Sequence, residues 1–421
     1  MEETDLSTLR AVCSQPYGFW LDNAMVDSGL GWRSLWSADP ALVLRCWGRR
    51  VEVEHRRGSC ERFEGDPFDV LRLLLSEWQG VRGGAAIGYF GYGLKQHIEG
   101  LPETAVDDLG IPDCCLAFYH RVHAFDPRPL APVSVALGPP PNFEVLRSTF
   151  TRESYKVAVR RALSYIRAGD IYQANLSQRF QAPCHRDPFD VFLGLRAQSP
   201  APFGAYLRYP GFAVLSSSPE LFLRYRPHHR LIQTRPIKGT RPRGTDPRSD
   251  RALATELLAS AKDRAENVMI VDLERNDLGK EAEVGSVVVT GLCELETYAT
   301  VHHLTSTVQA RLRAGRDVID LLRATFPGGS ITGAPKIRAM EIIDELEPVA
   351  RGVYTGAIGY IGSDGSLELN IAIRTMVVKD GTASFHVGGG IVADSDPALE
   401  YEETLHKGTA LARVLIGEGV P

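Results

Sequence analysis

The sequence predicts an α+β protein built on antiparallel sheet. Three observations carry this: strand-like runs mostly adjoin other strand-like runs, helical segments fall between blocks of strands, and neither βαβ alternation nor an internal repeat is present. The chain of 421 residues, 44% hydrophobic and 24% charged, is long enough for one large core or two domains. A formal net charge of −5 leaves no nucleic-acid footprint, and local basic clusters on such a chain suit small anions better. No apolar run nears the roughly 20 residues that span a bilayer, and the acidic start MEETDLSTLR is no signal peptide. Seven cysteines without CxxC spacing suggest buried reduced thiols rather than a disulfide framework or a zinc site. A cytoplasmic protein without membrane attachment is expected.

Along the chain, ALVLRCWG, RRVEVEH, AAIGYFGYGL and CCLAFYHRVHAF read as strands, with one helix in DPFDVLRLLLSEWQG. Prolines 127, 129, 132 and 139–141 then cluster around VSVAL and mark the best candidate boundary. TRESYKVAVRRALSYIRAGD is an amphipathic helix with Tyr155, Val159, Ala162, Leu163 and Ile166 on one face and Gly169 as its C-terminal cap. FGAYLRY, GFAVLSSS and RLIQTR follow as strands, QTRPIKGTRPRG as a basic loop, and residues 249–279 as a helical zone. DVIDLLRATF is a further helix. GAIGYIG, LELNIAIRTMVV and TASFHVGGGIVA are late strands before a terminal helix from Pro397, capped by Asp396.

That terminal helix places Glu400, Glu403 and Lys407 on one stripe with Ala410, Leu411 and Val414. Two carboxylates on an inward stripe are costly unless a cation lies between them, and magnesium suits such oxygens. The alternative is a solvated helix start with a surface Glu403–Lys407 pair. Glu266, which shares a face with Ile270, Leu273 and Asp277, is either a helix-start residue favoured by the dipole or a third ligand. His302 and His303 follow the strand-like LETYATV, so one can point to a site and the other outside. FPGGSITGAPK lacks the ending of a nucleotide-binding phosphate loop, yet its backbone N–H groups and Ser330 suit an anion. HVGGGIVADSD is a glycine run that marks either a β-bulge or a close approach of ligand to backbone.

The ordered motifs GDIYQANLSQRF, SSSPELFL, TRPIKGTRPRG, AENVMIVDLERNDLG, TFPGGSITGAPKIRAMEIIDELEP, RGVYTGAIGYIG and GGGIVADSDPALEYEETLHKGTAL resemble the chorismate-utilising enzymes, densely from Tyr155 to Leu415. The resemblance implies two antiparallel β-sheets packed as a sandwich with helices outside and an active site in a cleft between them. Residues 1–145 would contribute to the sandwich and a candidate tryptophan pocket, and residues 146–421 would form the chorismate-binding catalytic region. It implies Mg2+ on Glu266 and Glu403, with Glu400 adjoining. It also implies Glu220 as general acid/base and His303, rather than His302, assisting the departing hydroxyl. Gly239, Thr240, Ser330, Tyr354, Arg374, Gly389, Gly390 and Lys407 would bind substrate. Near the N-terminus, Asn23 stands where relatives with a tryptophan pocket carry serine.

Two positions bear on the member of the family. Gln173 stands where water-using relatives carry a lysine base. Lys238 stands in PIKGT where anthranilate synthases resemble PIAGT, and this pattern is similar to aminodeoxychorismate synthase component I. A lysine there can attack as a nucleophile, and the neighbouring arginines and a partly dry cleft are expected to favour its neutral form. Ammonia is expected from a separate glutamine amidotransferase subunit, because no such domain and no lyase extension is recognised in the chain. The alternatives are anthranilate synthase component I, a bifunctional form, or a non-catalytic chorismate- or tryptophan-binding regulator.

Overall fold

A computed structural model describes residues 4–25, 31–130, 140–298 and 301–417. Their strands form two antiparallel sheets. The ten-stranded sheet runs in the order Gly333–Ala334, Gln173–Pro183, Thr382–Ile391, Thr375–Lys379, Phe212–Ser218, Phe203–Tyr209, Phe19–Asp22, Ser34–Ser37 and His123–Phe125, with Arg147–Ser148 also on Gln173–Pro183. The twelve-stranded sheet runs Ile237–Pro242, Val301–Arg311, Leu231–Arg235, Leu221–Arg226, Leu367–Ile371, Ala357–Gly362, Ala85–Phe90, Cys114–Tyr119, Leu42–Trp47, Arg50–His55 and Cys60–Glu64, with Val288–Thr297 on the Val301–Arg311 strand. Residues before 146 thus lie in both sheets, through pairs such as Phe19–Leu207 and Tyr89–Ile358. Of the proline cluster, Pro132 and Pro139 fall with VSVAL on residues 131–139, outside the described residues.

Strand alternation explains why runs such as CCLAFY look continuously apolar. Cys115, Ala117 and Tyr119 enter the core between the sheets, beside Phe203, Ala205, Leu207 and Tyr209 of the opposite sheet. Cys114, Leu116 and Phe118 point the other way, into a core shared with Phe68 and Leu71 of the helix Pro67–Trp78. The adjacent thiols therefore serve opposite faces, and both are free and buried. The other sheet's outer face, through Tyr206, Leu215 and Phe385, packs on Phe192, Leu195 and Leu411 from helices Pro188–Gln198 and Pro397–Ile416.

The amphipathic helix spans Arg152–Ala168 and ends on Gly169 at φ 83°, as expected. The helical zone is two helices, Pro247–Ala259 and Ala261–Gly279, because the Ser260 backbone is extended and its side chain caps the second. Helices Leu6–Cys13, Pro188–Gln198 and Lys336–Leu346 go beyond the expected elements. QTRPIKGTRPRG is not a loop: Ile237–Pro242 pairs with Val301–Thr305, with a register shift between Lys238 and Thr240 where Gly239 adopts φ 81°. Its arginines and prolines hid the strand, since pairing partners 60 residues away leave no local period.

Behind the site, Arg351 and Glu347 form a buried pair at 2.7 Å, with side chains 1% and 4% exposed. Glu347 accepts from the Ser177 N–H and hydroxyl, and Arg351 donates to the carbonyls of Ile331 and Asn175. Arg351→Ala leaves a buried carboxylate and should cost roughly 3–5 kcal/mol, read from urea unfolding.

Candidate active site

The chain changes sheets twice at one place. Phe212–Ser218 leads through Glu220 into Leu221–Arg226, and Leu367–Ile371 leads through Arg374 into Thr375–Lys379. LELNIAIRTMVV is therefore two strands in different sheets rather than one, broken where Arg374 takes φ 50°. The two crossovers bond to each other: the Ile371 N–H donates to the Glu220 carbonyl at 3.0 Å, and the Ser217 N–H to the Arg374 carbonyl at 3.1 Å. Glu220 and Arg374 are thereby brought to the line where the sheets part.

Glu220 is buried, and that burial raises its carboxyl above the usual range despite the Ser330 hydrogen bond and the charge of Lys238. Ser330 Oγ donates to Glu220 Oε1 at 2.6 Å. The FPGGS turn is buried rather than offering open N–H groups to an anion: the Gly329 N–H donates to Glu274 Oε1 at 3.0 Å, and Lys336 binds Asp277 and the Pro327 carbonyl. Its glycines are there for packing, since a Cβ on Gly328 would lie 2.6 Å from Ile371 Cδ1.

Lys238 Nζ lies 3.0 Å from Glu266 Oε1, its side chain 12% exposed. The three arginines around it turn away and are each neutralised. Arg235 binds Glu296, Arg241 binds Glu256 and Asp263, and Arg243 binds both oxygens of Asp250. They hold the strand to its neighbours and do not supply the positive field expected around the lysine.

His302 does not face outside. It is buried, with Nδ1 near Thr297 Oγ1 and Nε2 near Asp250 Oδ1, both at 3.0 Å. His303 is also buried, its Nδ1 2.8 Å from Thr240 Oγ1, while its Nε2 has no partner among the described residues. Burial, then the Arg374 charge, push His303 down to about 3, so it is neutral at any working pH. The native state refuses a proton that the unfolded chain takes up from pH 6.5 to 3, so stability falls with pH through that window. His303→Gln should lose less stability than the parent between pH 7 and pH 5, measured by urea unfolding at each pH.

The terminal helix buries Glu400, Thr404, Gly408 and Leu411, while Glu403 and Lys407 stand half-exposed at its rim, paired at 2.6 Å. The stripe is rotated from the one expected, because Thr404 and Gly408 are small enough to lie against the sheet. Lys407 holds Glu403 below the usual carboxyl range, and burial raises Glu400, which accepts from Ser395 Oγ at 2.6 Å. The glycine run forms a regular strand opposite Asn175–Ser177, without a bulge. A Cβ on Gly389 would lie 3.1 Å from Glu403 Oε1 and 3.4 Å from Glu400 Oε2, and one on Gly390 would lie 2.9 Å from Glu266 Oε1. Three carboxylates thus crowd onto bare backbone, a donor set of hard oxygens that fits a divalent cation. As they stand, Lys238 and Lys407 take up the charge, and no three such side chains among the described residues converge as a ready metal group.

Other polar groups are waiting for partners. Both ends of the buried Gln173 amide and Asn175 Nδ2 lack partners among the described residues. Arg374 donates at 3.4 Å to Ser199 Oγ, forms no ion pair among the described residues, and has its pKa lowered by burial. Tyr354 stacks on His386 at 5.1 Å, and burial pushes its hydroxyl up to about 12, so it remains a donor. Gly239 faces Asp263 and Leu257, and the Thr240 hydroxyl beside it lies against His303 Nδ1. Glu274, absent from the expected site, shares this region: the buried face of its helix runs through Asn267, Ile270, Val271, Glu274, Asp277 and Leu278, so it includes Glu274 in place of the expected Leu273. Beside the buried Asn23, the Trp32 indole packs edge-on against Phe203 at 5.5 Å and donates to the Asp22 carbonyl.

Comparison with known proteins follows the same lines. A family model described as chorismate binding enzyme matches residues 24–413. Aminodeoxychorismate synthase component 1 of Salmonella typhimurium is 46% identical, covering 88% of this chain and 87% of its own. Anthranilate synthase component 1 of Acetivibrio thermocellus is 35% identical over 98% of this chain and 93% of its own. The crystal structure of anthranilate synthase component I from Streptococcus pneumoniae TIGR4 superposes with a TM-score of 0.76 at 29% identity, covering 98% of this chain and 94% of that one.

Proposed function

The chain belongs to the chorismate binding enzyme family, and on that premise we propose that it is an aminodeoxychorismate synthase component I, converting chorismate and ammonia to 4-amino-4-deoxychorismate. The observation that carries this reading is Lys238: it points to Glu266 while the three arginines around it each point to a structural carboxylate. Its amine attacks C2 of chorismate, the ring double bond shifts, and the C4–O bond breaks. Glu220 donates the proton with which the hydroxyl leaves as water. Ammonia then attacks C4, the double bond returns, the C2–N bond to Lys238 breaks, and Glu220 carboxylate takes up the surplus proton. Neutral His303, whose Nε2 has no partner among the described residues, lies beside Thr240 to hydrogen-bond the leaving hydroxyl. One substrate carboxylate is suited to Arg374, with Tyr354 and the Gly389–Gly390 backbone.

Glu266, Glu403 and the adjoining Glu400 would hold magnesium. Bound there, it would offset much of the charge of the three carboxylates, take the other substrate carboxylate and leave Lys238 without its Glu266 partner. Lys407 would stay near that carboxylate. Ammonia would come from a separate glutamine amidotransferase subunit, and the product would go on to 4-aminobenzoate and folate through a separate lyase. Among the described residues no helix is long and apolar enough to cross a membrane, and a cytoplasmic location fits this reading.

Anthranilate synthase component I is the second reading, favoured by the 98% coverage of this chain in such a relative. Incubation with chorismate, magnesium and ammonium salt, followed by product identification, tests both. 4-Amino-4-deoxychorismate is expected; anthranilate and pyruvate would overturn the first reading. Binding of chorismate without turnover would leave a regulatory protein.

A further inference from the structure

We propose that Glu274 is a positioning residue that holds the Gly329–Ser330 turn so that Ser330 is aimed at Glu220. The inference rests on the reading of Glu220 as the acid that turns over chorismate. Glu274 is 3% exposed on the helix Ala261–Gly279, facing the turn. Its Oε1 accepts from the Gly329 N–H at 3.0 Å, and the next residue's hydroxyl donates to Glu220 Oε1 at 2.6 Å. A carboxylate, a backbone amide and a hydroxyl thus form one line from the helix to the acid. Glu274 Oε2 is buried with no partner among the described residues, a cost that folding alone does not explain. A leucine there would satisfy the helix packing better, since Leu273 and Ile331 line the same space.

The turn is held from its other side by Lys336, which donates to the carbonyls of Thr325 and Pro327 and binds Asp277. The cation fixes the carbonyls ahead of the glycines, so Glu274 is the group that fixes the amide between them and Ser330. The charged groups facing Glu274 are Asp277 on its own helix, Lys336 and Glu220; burial and then Asp277 push its carboxyl up to about 7. Its accepting oxygen serves the amide in either protonation state.

The test is a double-mutant cycle with Ser330→Ala, following chorismate consumption so that product identity does not enter. Glu274→Leu should lower kcat about tenfold with KM within about threefold, the size of one lost contact in a hydrogen-bonded network. In the Ser330→Ala background the same change should lower kcat less than about twofold, because the hydroxyl it aims is gone. Glu274→Gln keeps an accepting oxygen and should hold kcat within about threefold of the parent, and it serves equally if the leucine variant does not fold. Additive losses, a rise in KM matching the fall in kcat, or a tenfold loss in Glu274→Gln would each overturn the proposal. A parent chain that consumes no chorismate would overturn the functional reading and this inference together, whereas an active parent with an additive cycle overturns the inference alone.

Discussion

Lys238→Ala should end formation of 4-amino-4-deoxychorismate, lowering its rate by on the order of 10³-fold, about 4 kcal/mol of barrier. Alanine removes the nucleophile but keeps the strand, whose register with Val301–Thr305 is set by backbone pairing and by arginines bonded elsewhere. With C2 open, ammonia itself can attack there, so residual turnover should yield anthranilate and pyruvate. Mass spectrometry of the parent held with chorismate and no ammonia should show an adduct on Lys238. Near-parent rates in the alanine variant and no adduct would reduce Lys238 to a counter-ion for Glu266, from which it stands 3.0 Å.

Glu220→Gln should lower kcat by roughly 10²–10⁴, the usual worth of a positioned general acid, with KM little changed. Glutamine keeps the shape and can still accept from Ser330 Oγ, so the loss isolates the proton. Burial raises the Glu220 carboxyl, which keeps it protonated closer to neutrality. The acid works while protonated, so parent activity should fall as pH rises through its raised pKa. That alkaline limb should be absent from the glutamine variant, and a limb common to both would assign the titration to another group.

Lys238, Glu220, Glu266, Glu403 and the glycines could be named as candidates from the sequence, because the motifs that carry the family resemblance stand in order along the chain. Their partners could not. The arginines beside Lys238 were expected to act on it, and each instead meets a carboxylate from another element. Glu403 and Lys407 were open to two readings, interior with Glu400 or a pair at the surface; they pair at the rim and only Glu400 is buried, since the helix turns on Thr404 and Gly408. Glu274 could be seen only once the Phe326–Ser330 turn lay against its helix.

The sequence by itself determined that this is an α+β chain on antiparallel sheet, where helices such as Arg152–Ala168 and Pro397–Ile416 begin, and which acids, lysine and glycines are candidates for the chemistry. Those follow from local periods, capping residues and motif order, all within reach of a few turns of chain. Only the tertiary structure decided that Ile237–Pro242 is a strand, that LELNIAIRTMVV divides between two sheets, and that Glu220 and Arg374 meet at the division. Strand pairing joins residues far apart in the chain, and a side chain's charge is used or cancelled by whichever distant group that pairing brings beside it.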